Sequence, residues 1–528
     1  VQRSLSTLIL LWSATAMAAP ADLVLRGGDI VTNDAAHPRV SALAISDGVI
    51  VAVDKQAEAK ELIGPRTRVI ELGGRAVVPA LTDAHAHLYS LGVTADLVDL
   101  RGCASPEACA ERLKGNTRGW VLGHGWDQNR FADAQFPTRA ALDRVIADRP
   151  VWLARIDGHA GWANSAALAR GNITRDTKDP PGGRILHDGS GEPTGVLIDT
   201  AKELINRALP PPPPSEIETA ILRAQNLAVA EGLTAVDEMG IGGEVIDVYR
   251  ALAAEGRLKV RVYAFAAADE AERMFLRKAD PSQPSSLFTL RGIKLYSDGA
   301  LGSRGAALLT PYADEAGNRG LTIMPAAAIE RLARKAKKSG WQIAVHAIGD
   351  RANHEVLDAY ARAGVTPADR FRIEHAQVVA RDDFARFAKL GVIASMQPVH
   401  AVSDKPWVEA RLGKERLAGA YAWRRMLQAG VHLCLGSDFP VEEPSLTAGL
   451  RAAVTRGGWT VDQKLTLDEA IAGYTTGAAY ASFAETWRGR VAAGQAADLT
   501  VFDKPTATLL EAHPVMTIVA GRLVYEKN

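Results

Sequence analysis

The sequence predicts an α/β protein: a (β/α)8 TIM barrel, with a small β-sandwich domain built from both chain ends and a long insertion after barrel strand 1. Three observations lead there. Eight short, buried, β-branched runs alternate with long amphipathic segments, the pattern of a parallel sheet, and eight strands close a barrel. The two chain ends show short alternating apolar runs broken by turn residues instead. The first two barrel runs stand too far apart for one crossover helix.

Taken in order, residues 1–18 read as a secretory signal peptide. Arg3 precedes the apolar stretch Leu8 to Trp12, which ends in the small-residue segment Ala16-Met17-Ala18. That run is too short to span a bilayer, and no other segment offers the roughly 18 uninterrupted apolar residues a membrane helix needs. The expected product is exported, periplasmic or secreted, with no stable membrane association. Residues 19–78 and 490–528 form the composite β-domain, from runs such as Leu23-Val24-Leu25, Ile30-Val31, Ala42 to Ile45, Leu499 to Phe502 and Thr517 to Val519. The barrel spans 79–489. Its expected strands are Ala76–Leu81, Leu233–Val236, Lys259–Phe265, Gly292–Tyr296, Gln342–Val345, Arg372–Ile373, Val392–Ser395 and His432–Leu435. Capping boxes at Ser215 with Glu218 and Thr466 with Glu469 open two of its helices. Residues 90–214 are the insertion or lid, ending in the five prolines Pro210 to Pro214, which favour a stiff extended segment.

Composition narrows the partners. Of 528 residues 47% are apolar and 23% charged, enough to bury a large core. Lys plus Arg and Asp plus Glu are 61 each, so no basic footprint marks a nucleic-acid binder. A small-molecule substrate is expected, and a homodimer is the one protein association considered. Among three cysteines, Cys103 and Cys109 are near enough in sequence to pair in an oxidising compartment, whereas Cys434 lies in an apolar run.

Catalytic groups of such a barrel sit at the C-terminal strand ends. Polar residues at or near the ends of the apolar runs are Asp83 and His85-Ala86-His87, then Lys294, His346, Glu374-His375 and Ser437-Asp438. His85 and His87, two apart on an extended strand, point to one side and can grip one metal ion. A single His-x-His is weak evidence. The convergence of four histidines, a lysine and an aspartate on one mouth is far more specific. Asp83, Glu374 and Asp350 could orient these ligands or serve as ordinary caps.

The chain resembles the amidohydrolase superfamily of metal-dependent hydrolases, in the branch that contains N-substituted formamide deformylases. The resemblance runs from Pro79-Ala80-Leu81-Thr82-Asp83-Ala84-His85-Ala86-His87 through His124-Gly125-Trp126-Asp127, Asp157-Gly158-His159 and Lys294-Leu295-Tyr296-Ser297-Asp298-Gly299 to His346-Ala347-Ile348-Gly349-Asp350, Glu374-His375 and Gly436-Ser437-Asp438. It implies two divalent ions, with zinc expected. His85 and His87 would hold the more buried ion, His346 and His375 the more exposed one, and Asp438 would touch the buried ion. Lys294 would bridge both as a carbamate formed with CO2; the alternative is an unmodified lysine paired with Asp298 or a substrate carboxylate. The implied reaction is hydrolysis of a carbon–nitrogen bond other than a peptide bond, of the N-formyl or N-acyl amine type. A metal-activated hydroxide would attack, Asp438 would act as general acid/base, and His159 would help at the oxyanion. Substrate-binding candidates are His124, Trp126, Asp127 and Asp157 on the insertion, with Ser303, Arg304, His400 and Trp407 on later loops.

Two other readings compete. A single-metal deaminase of a heterocyclic ring shares the barrel and the His-x-His, but such enzymes carry a Glu shortly after the fifth-strand His, where Ala347-Ile348-Gly349-Asp350 stands here. A non-catalytic exported binding protein on the same barrel is the third. All six ligand positions hold competent residues, which disfavours it.

Overall fold

The computed structural model describes residues 20–57 and 60–527; the expected signal peptide lies outside them. Eight parallel strands form the central sheet in sequence order: β1 (Thr82–Ala86), β2 (Ala235–Ile241), β3 (Arg261–Ala266), β4 (Phe288–Tyr296), β5 (Gln342–Ala347), β6 (Arg372–His375), β7 (Ile393–Met396) and β8 (Leu433–Leu435). Nearly every residue in these strands is buried, which is why they read as continuous apolar runs. The outer strands meet just beyond β8. Asp438 N–H donates to His85 O at 2.8 Å and His87 N–H donates to Phe439 O at 2.9 Å, so the seam lies where the candidate ligands converge.

The first barrel strand differs from expectation. The run Ala76–Leu81 is split: Ala76–Pro79 pairs antiparallel with Leu499–Phe502 in the terminal sheet, and the barrel strand starts at Thr82. Ala80, with φ 52°, turns the chain between the two. Unbroken hydrophobicity conceals such a turn because both halves are buried. Strands from both chain ends share one continuous eight-stranded hydrogen-bonded sheet. Below the barrel, Asp498 accepts from Arg261 at 2.7 Å and Arg488 at 2.8 Å, tying this sheet to the barrel floor.

Residues between β1 and β2 build a six-stranded sheet with its own core around Leu100, Trp126, Leu153 and Trp162. A disulfide joins Cys103 and Cys109, whose Cα atoms are 5.5 Å apart. Thr466 and Glu469 form the expected capping box. Ser215 and Glu218 do not. The helix Pro214–Ala230 begins two residues earlier than that box requires, with Pro214 in its first turn, where a missing N–H costs nothing. No helix among the described residues is long and apolar enough to cross a membrane.

Candidate active site

The ends of β1, β2, β6 and β8 supply a cluster whose orientation is set by hydrogen bonds behind it. His85 is fully buried, and its Nδ1 lies 2.5 Å from Glu374 Oε2. Glu374 in turn accepts from Arg372 Nε at 2.7 Å. His87 Nδ1 is 3.0 Å from Met239 O on β2, and His375 Nδ1 is 2.8 Å from Gln397 Oε1. With Nδ1 of His85 and His87 engaged, their Nε2 atoms face Asp438 Oδ1 at 3.5 and 3.3 Å. Asp438 Oδ2 is 3.3 Å from His400 Nε2, on the helix Pro398–Ser403 that follows β7. Two overlapping groups could therefore hold a metal ion: His85, His87 and Asp438, and His375, His400 and Asp438. Imidazole and carboxylate donors, with acceptors behind the rings, fit a divalent transition metal.

The implied pair of His346 and His375 is close as well. His346 stands beside His375, ring centroids 4.6 Å apart, and its Nε2 is 3.4 Å from Gly299 O. His400, expected to bind substrate, lines the cavity and also reaches Asp438 Oδ2. Of the three carboxylates considered as orienting groups, only Glu374 meets a ligand ring. Asp83 accepts from the Ser437 and His85 backbones, and Asp350 from Leu309 N–H.

Burial drives most of the electrostatics. It pushes His346 and His375 well below the ordinary histidine range, leaving both neutral and able to bind a metal. Burial alone would raise Asp438 and Glu374, but their cationic partners, foremost His400 for Asp438 and Arg372 for Glu374, hold both below the usual carboxylate range. Burial pushes Lys294 down to about 8. Its Nζ is 3.3 Å from His85 Nε2, and among the described residues it forms no ion pair. Asp298 is committed elsewhere, accepting from Ala307, Ile348 and Gly349 N–H groups at 2.8 to 3.0 Å.

A cavity of about 450 Å³ opens above the cluster, between the barrel mouth and the insertion. His159, His346, His375, His400, Trp407 and Asp438 line it. Asp127 and Asp157 line it too, flanking the buried Arg155 at 2.6 and 2.5 Å. Four expected substrate residues do not line it. Trp126 is fully buried in the insertion core and donates to Leu153 O at 2.9 Å. Ser303 is buried against Ala300 O, and Arg304 turns away to Asp314 at 3.0 Å and Glu315 at 3.3 Å. His124 lies in a separate pocket of about 180 Å³, with Arg101, Pro440 and Glu443.

Other residues at the cavity went unsuspected. Asp404 accepts from Tyr421 Oη at 2.6 Å and Gln377 Nε2 at 3.0 Å, and burial pushes it up to about 7. Asp199 reaches the His159 ring, with Oδ1 2.6 Å from Nδ1. Burial opposes protonation of His159, but the Asp199 and Asp157 carboxylates outweigh it and raise the ring above its ordinary range. Gln377 could have been suspected, two residues beyond Glu374-His375; Asp199 and Asp404 lie in no motif.

A family model described as the amidohydrolase family matches residues 68–525. The chain belongs to the amidohydrolase family. It is a hydrolase acting on carbon–nitrogen bonds. The chain is 33% identical to protein LONG AFTER FAR-RED 3 of Arabidopsis thaliana, over 98% of this chain and 94% of the relative. An N-substituted formamide deformylase of Arthrobacter pascens is 29% identical, over 96% of this chain and 99% of its own. The crystal structure of an uncharacterized metal-dependent hydrolase of Pyrococcus horikoshii is similar with a TM-score of 0.78 and 29% identity, covering 93% of this amidohydrolase and 99% of that chain.

Proposed function

We propose that this amidohydrolase cleaves a small N-formyl or N-acyl amine in the cavity at its barrel mouth, using two divalent metal ions. His85, His87 and Asp438 would hold one ion. His346 and His375, both neutral and with ring centroids 4.6 Å apart, would hold the other, while His400 meets the second oxygen of Asp438. The observation that carries the reading is the position of Asp438, whose two oxygens each face a different imidazole group at 3.3 Å. Lys294 is the amine proposed to carry CO2 as a carbamate. Its support is burial beside His85, which pushes the amine down to about 8, with no carboxylate in ion-pair contact among the described residues. Divalent ions bound there supply Lewis acidity and make water more acidic.

The chain's own groups do the rest. Asp438, ionised and adjacent to both donor groups, accepts the proton of the attacking water and returns it to the departing nitrogen. His159 presents its ring across the cavity, where a donor to the carbonyl oxygen stabilises charge as the tetrahedral centre forms. Arg155, locked between Asp127 and Asp157, gives that wall a rigid polar surface. Export from the cytoplasm is proposed as well, supported by the Cys103–Cys109 disulfide.

The test is metal content of protein purified with bicarbonate and without chelator, alongside His85→Ala and Lys294→Ala and a panel of N-formyl and N-acyl amines assayed for amine release. The expected result is about two ions per chain, depleted in both variants, with turnover of some panel member. One ion that survives Lys294→Ala would remove the carbamate and favour a single-metal deaminase. No ion in the parent would overturn the hydrolytic centre.

A further inference from the structure

The insertion delivers His159 to the cavity, and the residue that holds it there is costly to keep. Asp199 ends the strand Pro193–Asp199 with φ 49° and ψ −122°, a region glycine enters freely and a residue with a Cβ enters only against steric strain. Its carboxylate is buried. Oδ1 meets His159 Nδ1 at 2.6 Å, whereas Oδ2 has no hydrogen-bond partner among the described residues. The loop after β4 is shaped around this carboxylate. A Cβ at Gly299 would lie 2.2 Å from Asp199 Oδ2 and one at Gly305 would lie 2.7 Å from it, so a side chain at either position would collide with the carboxylate.

Strained backbone and a half-satisfied buried carboxylate both work against stability. Among the described residues, the one side chain this carboxylate contacts by hydrogen bond is His159. That ring lines the cavity with its centroid 4.9 Å from the His346 ring. We propose that Asp199 is a positioning residue that accepts the hydrogen bond of His159 Nδ1–H and so fixes the ring's direction, leaving Nε2 to meet the substrate. The effect on rate rests on the hydrolase reading above. The effect on the imidazole does not.

Asp199→Gly separates the two roles a buried residue can have, because it removes the carboxylate and relieves the backbone strain together. In metal-loaded protein labelled with 15N-histidine, the His159 ring signal is assigned by its loss in His159→Gln. The parent signal is expected to show a protonated, hydrogen-bonded Nδ1, and Asp199→Gly to lose that signature. Thermal midpoint and metal content should stay at or above parental values. With an N-formyl or N-acyl amine that the parent turns over, kcat should fall about 10- to 100-fold with a smaller change in KM. Asp199→Asn, which keeps an acceptor oxygen, should recover part of that loss. An unchanged His159 signal in Asp199→Gly, or a midpoint several degrees lower with kcat intact, would overturn the proposal. If the parent turns over no member of the panel, the N-acyl amine reading fails, and the imidazole signal still decides the role of Asp199.

Discussion

Arg372→Met should be among the most damaging single changes in the barrel. The guanidinium is completely buried and donates to Asp237 at 2.5 Å, to both oxygens of Glu374 at 2.7 and 3.0 Å, to Ser395 Oγ at 2.8 Å and to Ala84 O at 2.5 Å. Met fills similar volume but leaves two carboxylates in the core without a cation. Breaking a buried pair in this way costs about 3–5 kcal/mol, the larger part being the exposed cost of the orphaned charge. Asp237 already shows the pressure: burial pushes it up to about 7 even with Arg372 beside it. A second effect reaches the site, because Glu374 orients His85. Loss of its partner should weaken metal affinity about 10- to 100-fold. Urea unfolding of metal-loaded protein followed by tryptophan fluorescence, with metal titration into the apo form, measures both. Arg372→Met/Asp237→Asn should recover part of the stability, since it removes one orphaned charge. A loss below about 1 kcal/mol in the single variant, with no recovery in the double, would refute the argument.

Asp498→Asn removes the carboxylate shared by Arg261 and Arg488 and should cost about 3 kcal/mol, detected as early proteolytic release of the terminal sheet. Trp126→Ala should cost about 3–5 kcal/mol in the insertion while leaving KM of the folded fraction near parental, because its ring packs on Trp162 and not in the cavity. Cys103→Ser/Cys109→Ser opens a short loop and should cost about 2 kcal/mol, read as a lower thermal midpoint that reductant no longer shifts.

The sequence exposes whatever is written in local pattern. Each barrel strand after the first was legible within a few residues, because a buried parallel strand is a short apolar run and its catalytic end is where polarity begins. His85 and His87 follow from the two-residue period of a strand. The first strand was misplaced because Ala76–Leu81 is apolar throughout, although Ala80 bends it into two sheets. Trp126 was misread for a related reason. A tryptophan among glycines and polar residues looks like a binding loop, yet here an irregularity in the ladder between His124 and Trp126 turns it inward at the end of the strand Val121–Trp126. The contact of His400 with Asp438, the place of Asp404 at the cavity and that of Asp199 behind His159 required tertiary structure, since no local pattern joins these elements.

The division of labour at the cavity follows from this architecture. Most of the metal-ligand candidates are carried at or beside the ends of parallel strands, where ladder register and the acceptors behind each imidazole leave little freedom. His159, Asp157 and Asp127 belong to a separate sheet with its own core, disulfide and closing contacts. That sheet docks through specific polar bonds: Gln128 Nε2 donates to Gly302 O at 3.2 Å, Arg411 donates to Asn129 Oδ1 at 2.7 Å, and Arg101 pairs with Glu443. It also docks by packing, with Leu321 against its core and the Asp199 carboxylate against Gly299 and Gly305. The cavity lies at that joint. Changes in the insertion can thus reshape the substrate space while the donor cluster beneath keeps its geometry, so that bond-breaking chemistry and substrate choice are set by different parts of one chain.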